Sequence, residues 1–192
     1  LKTLMVTRSG LKNITAIKGL ENITSLEHLD LSENKLTEIE GLDTLTNLIS
    51  LNVRDNQIEK LQGLESLIEL KKLDVVSNKL TLLNGLDKCT HLEELNVLFN
   101  QIDDISGLKN LITLKNLKLR ENNIADISIL TELIKLERLD LSFNEVKNYE
   151  QLSGLVNLKW LDLGANKSTN DINYLTNLTN LEYLNLAGYK IK

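Results

Sequence analysis

Seven leucines, Leu26, Leu48, Leu70, Leu92, Leu114, Leu136 and Leu158, stand 22 residues apart, and each opens the same phrase. Leu26, Leu29, Leu31, Asn34, Leu36, Ile39, Leu42 and Leu45 are followed one period later by Leu48, Leu51, Val53, Asn56, Ile58, Leu61, Leu64 and Leu67. The phrase reads L-x-x-L-x-L-x-x-N-x-L-x-x-I-x-x-L-x-x-L-x-x. A fixed period of this length is the mark of a stacked repeat: one unit cannot bury its own leucines, and neighbours must cover them. Within the unit, L-x-L has the alternation of a strand with one buried face. The following I-x-x-L-x-x-L has period three, which fits a 3₁₀-like or extended return segment. The unit is too short to hold a long helix as well. Each coil is therefore predicted to hold a short strand, a turn and a loose return, with the strands pairing in parallel about 4.8 Å apart.

Asn34, Asn56, Asn78, Asn100, Asn122, Asn144 and Asn166 form one column at the end of the strands. Where the chain bends inward, its backbone groups lose their ladder partners. An amide side chain both donates and accepts, so it can satisfy them in its own coil and in the next. The single domain is read as 1–192, with about nine coils by this count. The first coil, 1–25, is atypical: three extra residues precede Leu26. Leu158 to Leu181 spans 23 residues, with the extra one around Ser168 to Asp171, and the last coil, 181–192, is incomplete. A solenoid end needs cover. No polar cap follows that coil, so the natural protein is expected to continue past Lys192.

These residues resemble the leucine-rich-repeat family over essentially the whole chain. The segment Leu36-Thr37-Glu38-Ile39-Glu40-Gly41-Leu42 looks most like the Sds22-like class, which includes a protein-phosphatase regulatory subunit and bacterial internalin-type surface proteins. The resemblance implies an α/β-class right-handed solenoid with a parallel β-sheet on the concave side and a 3₁₀ or irregular convex side. It also implies a non-catalytic module that binds another protein on the concave face. Internalin repeats often carry proline on the convex side. This chain has none, which leans toward the intracellular members and a cytoplasmic location; a bacterial surface or secreted protein, or a repeat domain of a larger receptor or enzyme, is the alternative.

Composition bounds the rest. The net charge of −5 lacks the basic stripe of a general nucleic-acid binder. No run of about eighteen apolar residues exists to enter a membrane. The lone Cys89 excludes an internal disulfide and falls on a repeated leucine position, where it reads as a small buried hydrophobe. His28 and His91 lie almost three coils apart, and no H-E-x-x-H, G-x-x-x-x-G-K-S/T or G-x-S-x-G occurs. Neither an enzyme nor a cofactor or metal site is expected, and the chain is read as a monomer. The N-x-S/T matches at Asn13, Asn22, Asn166 and Asn177 are read as chance in a chain rich in Asn and Thr.

If the leucines face inward, positions 3, 5 and 7 of each coil line the concave sheet. Trp160 beside Tyr183, with Arg138 on the next strand, forms one island; aromatics and arginine dominate binding hot spots. Packing beneath a missing cap is the alternative. Val76 and Leu98, with Phe99 next along the chain, form an apolar second island. Phe99 and Phe143, each preceding a column asparagine, are expected to be half-buried. Asp140 and Asp162 are adjacent carboxylates, and Lys118, Arg120 and Arg138 make a basic patch expected to pair with them. Glu94 completes the candidate partner-binding set.

Overall fold

Each coil contributes a strand of three residues, because only the x-L-x core of the phrase runs extended before the asparagine bend. In the computed structural model, which describes residues 1–167 and 172–188, the strands are β1 (Thr3–Met5), β2 (His28–Asp30), β3 (Ser50–Asn52), β4 (Lys72–Asp74), β5 (Glu94–Asn96), β6 (Asn116–Lys118), β7 (Arg138–Asp140), β8 (Trp160–Asp162) and β9 (Tyr183–Asn185). They form one parallel sheet in sequence order, each pairing with the next. The register repeats the sequence period: Leu29 pairs with Leu51, Leu51 with Leu73, and so on to Leu139 with Leu161. The inserted residue around Ser168 to Asp171 lies outside the described residues, as do residues 189–192 of the last coil. Short 3₁₀ turns such as Ser128–Glu132 and Glu150–Gly154 build the return side, as its three-residue period predicts.

One continuous core runs the length of the stack and takes in the regular leucines and isoleucines, with Cys89 among them. Burial pushes the Cys89 thiol up to about 11, which fits its reading as a hydrophobe.

The asparagine column does the work expected of it, with one change of direction. Asn56 Nδ2 donates to the carbonyls of Val53 and Arg54 in its own coil and of Leu31 in the preceding one. Its Oδ1 accepts the Leu36 N–H at 2.9 Å, again from the preceding coil. The same set recurs at Asn78, Asn122 and Asn144. The side chain therefore clamps its coil to the one before it, not to the one after.

Candidate partner-binding face

From β1 to β8 the middle residue of the strand turns into the core and its two neighbours turn out, so positions 3 and 5 reach the concave side as the alternation requires. Position 5, however, is largely occupied with the backbone. Asp30, Asn52, Asp74, Asp140, Asp162 and Asn185 each accept the N–H two residues on, at 2.9–3.1 Å, closing a small side-chain turn at the strand end. Across coils, Asn52, Asn96 and Asn185 also donate to the second oxygens of Asp30, Asp74 and Asp162.

Asp140 and Asp162 are consequently buried in this row rather than displayed. Asp140 is further tied to the Ser142 hydroxyl at 2.6 Å. Its carboxyl is held above the usual carboxylate range, first by burial and then by the like charge of Asp162; the bonds from Ser142 and the charge of Arg120 pull the other way.

The expected pairing of the basic patch with these aspartates does not form. Arg120 pairs with Glu121 at 3.3 Å and lies 4.5 Å from the Phe143 ring centroid, and Arg138 lies over Trp160. Lys118 is half-buried beside Asp140 in register, and no ion pair joins it to an acid of the described residues. The reason is local: the turn N–H groups already hold the carboxylates, and the guanidiniums lie against aromatic rings.

Position 7 is the second correction. Val76 is only 6% exposed and Leu98 half-buried, so the expected apolar island has little free surface. At this point the chain is already bending toward the core. The residue after it sits at positive φ in eight coils, from Arg8 to Ala165, and is thrown outward. Phe99 and Phe143 occupy this place and are exposed, not half-buried as expected.

Position 3 is where side chains stand free. Lys72 and Glu94 form an ion pair at 2.8 Å, and Asn116 follows on β6. Then come three stacked groups. The Arg138 guanidinium carbon lies 3.7 Å from the centroid of Trp160, and the Trp160 and Tyr183 rings stack at 4.8 Å and 5°. Trp160 is half-buried and Tyr183 is 43% exposed, so neither ring enters the core. Arg138 makes no ion pair with a carboxylate among the described residues, and its Nε is buried without an acceptor. A hollow of about 280 Å³ lies further along the same face, lined by Lys72, Asp74, Glu94, Asn96, Asn116 and Lys118.

Two further columns stand outside positions 3, 5 and 7. Position 2 alternates in charge: Lys2, Glu27, then after Ile49, Lys71, Glu93, Lys115, Glu137, Lys159 and Glu182. Lys2–Glu27, Lys115–Glu93 and Lys159–Glu137 are paired. Position 21, on the approach to each strand, carries exposed aliphatics at Ile68, Ile112, Ile134 and Val156. The 22-residue period itself was the signal for both. Among the described residues, no group of three or more His, Cys, Asp or Glu could hold a metal ion.

Comparison with known proteins agrees with this geometry. The family model for leucine-rich repeats in two copies matches residues 24–66 and again 68–110. No curated protein matches the chain. Among solved structures, an internalin from Listeria monocytogenes is 26% identical with a TM-score of 0.85, over 100% of this chain and 62% of its own. Internalin C2 from the same organism is 28% identical with a TM-score of 0.88, covering 96% of this chain and 80% of its own. A leucine-rich-repeat protein of Leptospira interrogans is 27% identical with a TM-score of 0.70, over 89% and 51%. The chain thus spans about three fifths of the first of these.

Proposed function

Because this chain is a leucine-rich-repeat solenoid, we propose that it is a non-catalytic module that binds a partner protein on the concave face, around Arg138, Trp160 and Tyr183. The observation that carries this reading is the stack itself. Two aromatic rings with few rotamers to lose, and a guanidinium already held against them, stand in one row on a rigid sheet, outside the core, and that guanidinium has no carboxylate partner among the described residues. Lys118, Arg120, Asp140 and Asp162 flank the stack and shape its field, Glu94 lies further along the same face, and half-buried Leu98 contributes at the margin; Val76 is too buried to contribute. The partner is a protein rather than a nucleic acid, because acids and bases alternate across the face and the chain is acidic overall. The chain acts as a monomer.

The test compares a Trp160→Ala, Tyr183→Ala double variant with the wild type in affinity capture from cell extracts, with thermal melting as the check on folding. Proteins held by the wild type should be lost, since truncating a central hot-spot residue costs about 2 kcal/mol or more. A folded double variant that holds every one of them overturns the assignment.

Two settings compete. The absence of proline favours a phosphatase-regulator-like intracellular protein. The two internalin structures, one matched over 80% of its length, favour a bacterial surface or secreted protein, and we adopt that reading. No helix among the described residues is long and apolar enough to cross a membrane. Localising the native protein by cell fractionation decides between the two settings.

A further inference from the structure

We propose that the approach edge of the sheet carries a second docking surface, formed by Ile112, Ile134 and Val156 with the lysine-lined groove beside them, and that it takes an acidic, apolar peptide segment of a partner protein. Ile112, Ile134 and Val156 lie on three consecutive coils at 53%, 56% and 45% exposure, just before β6, β7 and β8. The fold does not ask for aliphatics there. Thr24, Thr46, Thr90 and Thr179 hold the same position in other coils, and the core at this level is closed by the preceding residues Leu111, Leu133 and Leu155, all fully buried. The backbone under the stripe is fixed, because Asn157 and Asn180 donate to the carbonyls of Ile134 and Val156, each at 2.8 Å. Stacked coils set the three side chains about 4.8 Å apart. The result is a rigid apolar strip about 10 Å long, which matches three or four residues of an extended chain.

Charge decides the occupant. Asn157 and Asn180 also line a groove of about 410 Å³, which places it directly beside the stripe. This groove and the adjoining one are lined by Lys71, Lys115, Lys135 and Lys159 against Glu93 and Glu137, four positive charges to two negative. Lys115 takes Glu93 and Lys159 takes Glu137, each at 2.7 Å. Lys71 and Lys135 are left with no ion pair among the described residues. On a chain of net charge −5, this is a locally positive strip against an apolar one. A segment with carboxylates interleaved with aliphatic or aromatic residues satisfies both. The two glutamates in the groove and the overall acidity disfavour an anionic membrane.

The test is a random peptide library displayed against the full chain, with counter-selection on an Ile134→Ser, Val156→Ser variant whose melting is checked first. Enriched peptides should combine Asp or Glu with apolar residues. They should bind the double variant at least about tenfold more weakly and lose affinity as salt rises. Lys135→Glu, which alters only an exposed side chain, gives an independent reading and should weaken binding in the same way. The Trp160→Ala, Tyr183→Ala variant should bind the peptides as the wild type does, which separates this surface from the concave one. No enrichment, enrichment of basic peptides, or peptides indifferent to both edge variants overturns the proposal. So does stripe-dependent binding to phosphatidylserine vesicles, or stripe-dependent self-association in sedimentation, since each gives the strip a different occupant.

Discussion

At the scale of the residue, the asparagine column and most of the position 5 side chains are tied to the chain's own backbone. Asn144 is representative: buried, it donates to Leu119, Leu141 and Ser142 carbonyls and accepts the Ile124 N–H. Asn144→Ala leaves those groups without partners away from water and should lower stability by about 2–3 kcal/mol in urea titration. A loss within the range of ordinary surface substitutions would show that water replaces the amide. Asp140 behaves in the opposite sense. Its carboxyl is raised in the folded chain, chiefly by burial, so the folded state holds that proton to higher pH than the unfolded state does. This group therefore destabilises the fold above its folded pKa, and the penalty fades as pH falls through that value. Asp140→Asn keeps an acceptor for the Ser142 N–H and removes the like charge facing Asp162. The variant should melt higher than wild type at neutral pH, with the gap closing as pH falls through the Asp140 titration; a variant less stable at neutral pH would refute the burial argument. The structural use of the asparagine column was legible because a buried bend needs a two-way hydrogen-bonding group. That of position 5 was not, because Asp and Asn in an x-L-x strand look the same whether they face a partner or the N–H two residues ahead.

At the scale of the element, the coil is legible where its residues are chosen by burial and silent where they are not. The strand and the return segment follow from leucine spacing alone. The left-handed residue before each asparagine, or before Ser9 in the first coil, does not, since Arg8, Glu33, Asp55, Ser77, Phe99, Glu121, Phe143 and Ala165 share no chemistry. The clamp beside it dictates the conformation, and the side chain there is free to vary. Counting along the period places Trp160 outside the core, where it lies, whereas strand alternation puts Val76 on the open face and fails there because the chain has already bent. Glycine marks another tight place. Gly63 sits at φ +85°, and a Cβ added to it would come within 1.7 Å of the Ile39 carbonyl oxygen on the preceding coil, so the two coils touch backbone to backbone. Gly154, in a 3₁₀ turn, would meet nothing within 4 Å. Gly63→Ala should cost about 2–4 kcal/mol through combined backbone strain and displacement of a coil. Gly154→Ala should be neutral or stabilise by up to about 1 kcal/mol. Paired denaturation curves check both, and equal effects would mean that coil spacing is not set at Gly63.

At the scale of the whole molecule, stability is a sum of similar neighbour contacts along one axis, because each coil touches only the coils beside it. The terms are not equal along that axis. The central leucines of β6, β7 and β8 are fully buried, whereas Leu184 of β9 is 38% exposed and Leu4 of β1 only partly covered. An outer coil can therefore open by giving up one interface, while a middle coil must give up two. The amide protons report this directly. Val6 donates to Asp30 and Leu163 to Asn185, each across an outermost pair of coils, whereas Val97 donates to Lys118 and Leu119 to Asp140 in the interior. The four bonds have nearly the same length, 2.8–3.0 Å, so differences in exchange measure opening and not bond quality. In native-state hydrogen exchange of this chain, Val6 and Leu163 should exchange through openings of lower free energy than Val97 and Leu119, with protection rising from both ends toward β5 and β6. A single opening free energy at all four amides would mean instead that the stack unfolds as one unit, with coupling between coils outweighing the difference in their burial.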